Sequence, residues 1–283
     1  MESYTQAHRE ARLSLLERFL SYPLNDSTPI LQAFAALPNA IFCQGSHPLE
    51  RFVYISGTRS DPVLLVAHTD TVWDRHYDRE EAHAQFQVTE DRIVSLSEQA
   101  GLGADDRAGC AMLWHFRNSG HSLLLLDGEE KGHYGAKYLA RDHRKLLREL
   151  NRHCYILTLD YPGGRICHYH GVHNSSAFRK MIEQTYHCQV VTQKKGSDLP
   201  YLCRNACGVN IGVGYHSAHK ATEFLSIPQW LDTLSLLEQQ LPTAQKPYRT
   251  RKLPRLKSYT LTQLKKIYAH LRKLFLPNPT HPQ

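Results

Sequence analysis

No apolar run in this chain approaches the roughly 20 residues needed to cross a bilayer, so no membrane span is expected. No Gly-x-Ser-x-Gly elbow and no P-loop occur, which leaves serine-hydrolase and nucleotidase chemistry unsupported. Internal repeats and low-complexity segments are absent too. The first 20 residues carry Glu2, Arg9, Glu10, Arg12, Glu17 and Arg18 among apolar positions, and read as an amphipathic helix instead of an export signal. The seven cysteines are therefore expected as reduced thiols in a cytosol. Cys203 and Cys207, four apart, read as small buried thiols and not as metal ligands.

Acidic residues are missing from one end. From Lys246 onward there are ten Lys/Arg and no Asp/Glu, leaving 24 basic against 27 acidic residues elsewhere. The formal charge of +7 thus belongs to the tail. Such a tail could meet nucleic acid, an acidic partner or a membrane surface. Tyr248, Tyr259 and Tyr268 lie in it, but no nucleic-acid motif does, so a solvated helix face is expected, with neither nucleic acid nor membrane as partner. Residues 242–258 read as a basic linker. Leu261, Leu264, Tyr268, Leu271 and Phe275 recur at helical spacing and predict a basic amphipathic helix over 259–275. The end, 276–283, holds three prolines and is expected to be disordered.

What remains is an ordinary globular composition, 41% hydrophobic over 283 residues, enough for a sizeable core. Short apolar runs bounded by turn signals predict strands at 52–56, 62–67, 122–126, 155–159 and 208–213. Helical patterns fall at 107–117, 132–150, 177–186 and 228–241. Alternating strands and helices predict an α/β fold, a mostly parallel central sheet with helices on both faces. Residues 85–95 read as a hairpin around a Thr-Glu-Asp turn.

Five stretches gather the acids and histidines, each where a strand is expected to end, the edge at which open α/β sheets place their sites. The first is His68-Thr69-Asp70, a histidine with a carboxylate on the same side of an extended chain, able to fix its tautomer. Alone, that pair suits a structural histidine equally. The second is Asp105-Asp106 amid small residues, which fits a helix cap or a carboxylate bridging two cations. The third is Asp127-Gly128-Glu129-Glu130, whose acids would repel one another against a core unless a cation compensates. The fourth ends a strand on Asp160. The fifth runs from His216 through His219 to Glu223.

Together these stretches resemble the co-catalytic di-zinc exopeptidase superfamily of aminopeptidases, carboxypeptidases and aminoacylases, over about 63–227. The resemblance implies a zinc-exopeptidase-like fold over 1–241 and two metal ions. His68 and Asp160 would hold one, Glu130 and His219 the other, with Asp105 bridging. Glu129 would be the general base and Asp70 would orient His68. His216 is the alternative to His219. A cis Asp105–Asp106 peptide is also implied. Two metals roughly 3.5–4 Å apart would share and activate a water. Zinc suits the mixed ligands, with cobalt or manganese possible. Asp160 and His219 stand only 59 positions apart, which leaves no room for the lid domain of carboxypeptidase-type relatives. Gly196-Ser197-Asp198 also resembles the single-domain aminopeptidase branch. A peptide or N-acyl amino acid is the expected substrate; a deacylase or a metal-bound binding module is the alternative. The cluster His168-Tyr169-His170-Gly171-Val172-His173 stays open: a pocket lining, a separate metal site or a surface hairpin.

Overall fold

The computed structural model describes residues 2–75, 83–192 and 196–250. Its sheets are β1 (Ala40–Gln44), β2 (Arg51–Ile55), β3 (Leu64–His68), β4 (Phe86–Val88), β5 (Arg92–Ser95), β6 (Ser122–Leu126), β7 (Ile156–Tyr161), β8 (Ile166–His168), β9 (Gln189–Val190), β10 (Gly208–Gly212), β11 (Tyr215–His216) and β12 (Phe224–Ser226). The helices are α1 (Glu2–Leu20), α2 (Thr28–Ala35), α3 (Ala104–His115), α4 (Tyr134–Asp142), α5 (Arg144–Leu150), α6 (Ser176–Thr185), α7 (Leu199–Leu202) and α8 (Ile227–Gln240).

Eight strands form one sheet in the order β1-β2-β6-β3-β7-β10-β8-β9. Its centre, β6, β3, β7 and β10, is parallel, while β1 and β2 add an antiparallel edge. Parallel strands buried on both faces need apolar residues at every position, and β3 and β6 are buried throughout. Alternation then divides them. Leu65, Ala67, Leu123 and Leu125 join the core beneath α1, α3 and α8, with Trp230 at its centre. Leu64, Val66, Leu124 and Leu126 meet Leu139, Leu150 and Leu199 of α4, α5 and α7 on the other face. The expected α/β fold with helices on both faces is the observed one.

Several boundaries differ from expectation. The run 132–150 is two helices, because His143 leaves helical dihedrals between them. The hairpin over 85–95 exists as β4 and β5, but it belongs to a second, four-stranded sheet with β11 and β12. Residues 242–250, expected as the start of a linker, are pinned to the domain. Tyr248 N–H donates to Cys154 O at 2.8 Å, and Thr250 N–H to Asn205 O at 2.7 Å. The helix expected at 259–275 and the end at 276–283 lie outside the described residues. No described helix is long and apolar enough to cross a membrane, and all seven cysteines are free thiols.

Candidate metal centre

The carboxyl ends of β3, β6 and β7 converge, and the five stretches converge with them. β3 delivers His68, 3% exposed, to the floor of the site. Its Nδ1 lies 3.3 Å from Asp70 Oδ1, and its Nε2 lies 3.1 Å from Asp105 Oδ1 and 3.5 Å from Asp160 Oδ1. Asp70 has a second task that the sequence did not suggest. Its two oxygens accept from the backbone N–H groups of Glu129 and Glu130, at 3.0 and 3.1 Å. One carboxylate therefore sets both the histidine and the acidic turn after β6.

Asp105 opens α3 after Gly103, whose φ of 68° lies in the left-handed region that glycine tolerates. The Asp105–Asp106 peptide is cis. Asp106 points inward, accepting from His68 N at 3.1 Å and Gly109 N at 3.0 Å. Gly109 must lack a side chain, since a Cβ there would strike Leu159 O and the Asp106 carboxylate. Glu223, buried below the loop, accepts from Gly103 N at 2.7 Å and Asp105 N at 3.1 Å. The two residues flanking Asp105 in function are thus both acids committed to backbone donors.

Asp105 itself divides its oxygens. Oδ1 faces His68, and Oδ2 lies 3.4 Å from His219 Nε2. His219 Nε2 also lies 2.7 Å from Glu130 Oε1. Of four donor groups among the described residues with atoms within 4.8 Å of one another, two share Asp105, His68–Asp105–Asp160 and Asp105–Glu130–His219, and two contain Glu129, His68–Glu129–Glu130 and Glu129–His133–Asp198. His216 does not join them: its Nε2 lies 2.8 Å from Gln229 Oε1 and its ring stacks on Phe224.

The electrostatics of this cluster call for positive charge. Burial pushes the pKa values of Asp160 and Glu130 above the ordinary carboxylate range, and the Asp105 charge adds to both. Burial opposes the charged form of His68, yet Asp160, Asp105 and Asp70 together push its pKa well above the ordinary value. His219, bonded to Asp105 and Glu130, is pushed up to about 10. Asp105 shows the reverse. Burial pushes its pKa up, but His219 and His68 hold it far below normal. Four carboxylates, Asp70, Asp105, Glu130 and Asp160, thus share two imidazoles. A donor set of two imidazoles and three carboxylates around a shared Asp105 could hold two divalent cations.

Sequence reasoning missed His133. This residue follows the acidic turn at φ 63°, and its Nδ1 lies 3.3 Å from Glu129 Oε1 and 3.1 Å from Asp198 Oδ1. The signal was present as a histidine four positions after Glu129, but only the fold brings Asp198 to it. Tyr215 was also missed; its hydroxyl donates to Asp160 Oδ1 at 3.4 Å. Asp105, Glu129, Glu130, Asp160 and His219 all border one cleft of about 510 Å³. Of the open histidine cluster, His168 and His170 pack together with ring centroids 4.2 Å apart, and His173 is exposed. His168 and His170 line a second cavity, and His173 does not.

The fold matches solved peptidase structures. A tripeptidase from Staphylococcus aureus superposes with a TM-score of 0.59 at 14% identity, covering 83% of this chain and 98% of its own. The aminopeptidase PepT from Bacillus cereus gives 0.56 at 13%, covering 81% and 96%. An aminopeptidase from the archaeon Desulfurococcus kamchatkensis gives 0.56 at 11%, covering 84% and 96%. No protein-family model and no curated protein matches the sequence. The chain shares the fold of these peptidases.

Proposed function

We propose that this chain is a metal-dependent exopeptidase of the aminopeptidase type, hydrolysing the amide bond of a peptide or a related N-acyl amino acid. The observation that carries this reading is Asp105, whose two oxygens face two separate groups, His68–Asp160 on one side and Glu130–His219 on the other. Zinc is the expected metal, with cobalt or manganese suited to the same donors. Bound there, two cations would supply an activated water and polarise the scissile carbonyl.

The chain's own residues do the remainder. Asp70 fixes His68 and the backbone of the acidic turn, so that Glu130 and Glu129 are held in register. Glu129 borders the cleft beside His68 and Glu130 but outside the two groups that share Asp105, a position from which it would take a proton from water and return it to the leaving amine. His133, itself tied to Asp198, holds one Glu129 oxygen in place. No inserted lid separates Asp160 from His219, which favours an aminopeptidase over a lid-bearing carboxypeptidase or deacylase. Seven free thiols, five of them buried, suit a reducing compartment such as a cytosol.

Glu129→Gln tests the assignment. It should retain the metals and the fold while turnover of aminoacyl peptides falls roughly 10²–10⁴-fold, the scale of a lost general base. Turnover near the wild-type rate would assign the base elsewhere.

A further inference from the structure

A second cavity, of about 640 Å³, adjoins the acid-lined cleft, and the two share His133 and Gly196 as a common wall. Their linings have opposite character. The first contains Asp105, Glu129, Glu130 and Asp160. The second presents His168, His170 and Arg179 between Tyr169 and Tyr201, and no described aspartate or glutamate lines it. From the geometry we infer that this second cavity binds a carboxylate of the substrate on the leaving-group side of the scissile bond. The inference deepens the exopeptidase reading and rests on it for the direction of the bound chain.

The direction follows from Glu129. A base that takes a proton from water and returns it to the leaving amine must lie beside that amine. Glu129 touches His133 at 3.3 Å, and the His133 ring is the partition between the two cavities. The product that departs with the amine therefore extends past His133 into the second cavity. Because the two cavities share a wall, a carboxylate close to the cut on that side can enter the second one. It can be the C-terminal carboxylate of a short peptide or an acidic side chain next to the cut.

The chemistry of the lining suits that group. Arg179, on α6, is exposed, and its guanidinium carbon lies 4.4 Å from the centre of the Tyr169 ring. Stacking on an aromatic face steers a guanidinium while leaving its N–H edge for a planar anion. Glu183 sits one turn further along α6 but does not line the cavity. His168 and His170 are fixed by their own packing, against each other and against Tyr161. The backbone at His170 has φ 44° and is followed by Gly171 at φ 76°, a turn that returns the chain at the cavity wall. Left-handed backbone at a non-glycine residue clusters at ligand sites.

The test measures binding, so it does not depend on turnover. The zinc-loaded full-length Glu129→Gln protein is titrated calorimetrically with trialanine and with trialanine amide. Ala-Asp-Ala amide and Ala-Asn-Ala amide form the second pair. We expect at least one acid to bind about tenfold or more tightly than its neutral partner, the scale of a charge-assisted hydrogen bond. The first pair reports a C-terminal carboxylate and the second an acidic side chain. Adding Arg179→Gln should level that difference, and Arg179→Lys should keep part of it. Equal affinities within both pairs would overturn the inference, as would a preference undiminished by Arg179→Gln. If wild-type enzyme cleaves peptides but shows no preference, the carboxylate site falls and the exopeptidase reading stands. If the preference holds while no peptide is cleaved, the reverse is true.

Discussion

Two acids at the ends of the strands flanking β3 have opposite surroundings. Asp127, after β6, is fully buried and surrounded by its own donors. Arg51 reaches it at 2.6 Å, Ser27 Oγ donates at 2.8 Å and Thr69 Oγ1 at 3.2 Å. Asp160, on β7, shares His68 with Asp70 and Asp105, and otherwise meets a distant tyrosine hydroxyl. Both lie at the edge where the motif stretches converge, yet only one is complete. An acid with its own guanidinium is part of the frame; acids that outnumber their cations mark a place for metal.

The largest effect should come from breaking the complete pair. Asp127→Ala strands a half-buried arginine and should destabilise the fold by about 3–5 kcal/mol, with or without metal. Asp160→Asn should do the opposite to the metal-free protein. Burial raises the pKa of both acids, but only Asp127 has a guanidinium of its own to oppose it; the Asp160 contribution to stability is present below the unfolded value near 4 and lost as pH rises through the folded one. Removing that charge should raise the melting temperature at pH 7 and make no difference near pH 3, while weakening metal binding. Thermal unfolding of both variants in chelator would decide it; equal destabilisation would erase the contrast.

A metal bound at His219 would compete with a proton. His219 has a pKa pushed up to about 10 by Asp105 and Glu130. Its ion pairs therefore stabilise the metal-free protein fully below about 6.5 and fade as pH rises through about 10. Binding metal at neutral pH must displace that proton. Calorimetric titration of metal at pH 7, in buffers of different ionisation enthalpy, should reveal proton release, with affinity increasing toward pH 10. A buffer-independent heat would show that His219 is neutral or not a ligand.

A smaller effect extends the comparison to the surface. Asp61 is another satisfied acid: the Arg59 hydrogen bond and the Gln245 N–H hold its pKa at about 2. Because the folded value is depressed, its contribution is present above about 4 and lost as pH falls through about 2. Asp61→Asn should loosen the segment from 242 to 250, seen as faster amide exchange at Gln245 and Tyr248, with only a slight change in melting temperature because the pair is solvent-screened. Unchanged exchange would mean that the Tyr248 backbone bonds alone hold the segment.

Much of this was legible in the sequence for a physical reason. Ligand chemistry concentrates at strand ends, and β3, β6, β7 and β10 are apolar enough to announce themselves. The five stretches therefore stood out as short local patterns; the choice of His68, Asp70, Asp105, Glu129, Glu130, Asp160 and His219 within them was what the family resemblance implied, and the fold brings all seven together. His219, preferred over His216 on the family resemblance, sits in a loop at φ 67° that turns it toward Glu130 and leaves His216 on Gln229. The second cavity was not legible. It joins His133, a turn after β8 and one face of α6, which share no spacing. Strand β1 and helix α2 were missed because their apolar runs are short, and β1 leaves Ile41 and Phe42 about half exposed.

If Asp105 bridges two metal ions, the metal content of the protein will show it. Full-length protein equilibrated with excess zinc and then desalted should carry about two equivalents by elemental analysis, the number two-metal chemistry requires. Asp105→Ala should lose most of both, while Asp106→Asn, which removes only the inward-facing neighbour, should lose far less. One equivalent or none in the wild type, or two retained by Asp105→Ala, would contradict the account.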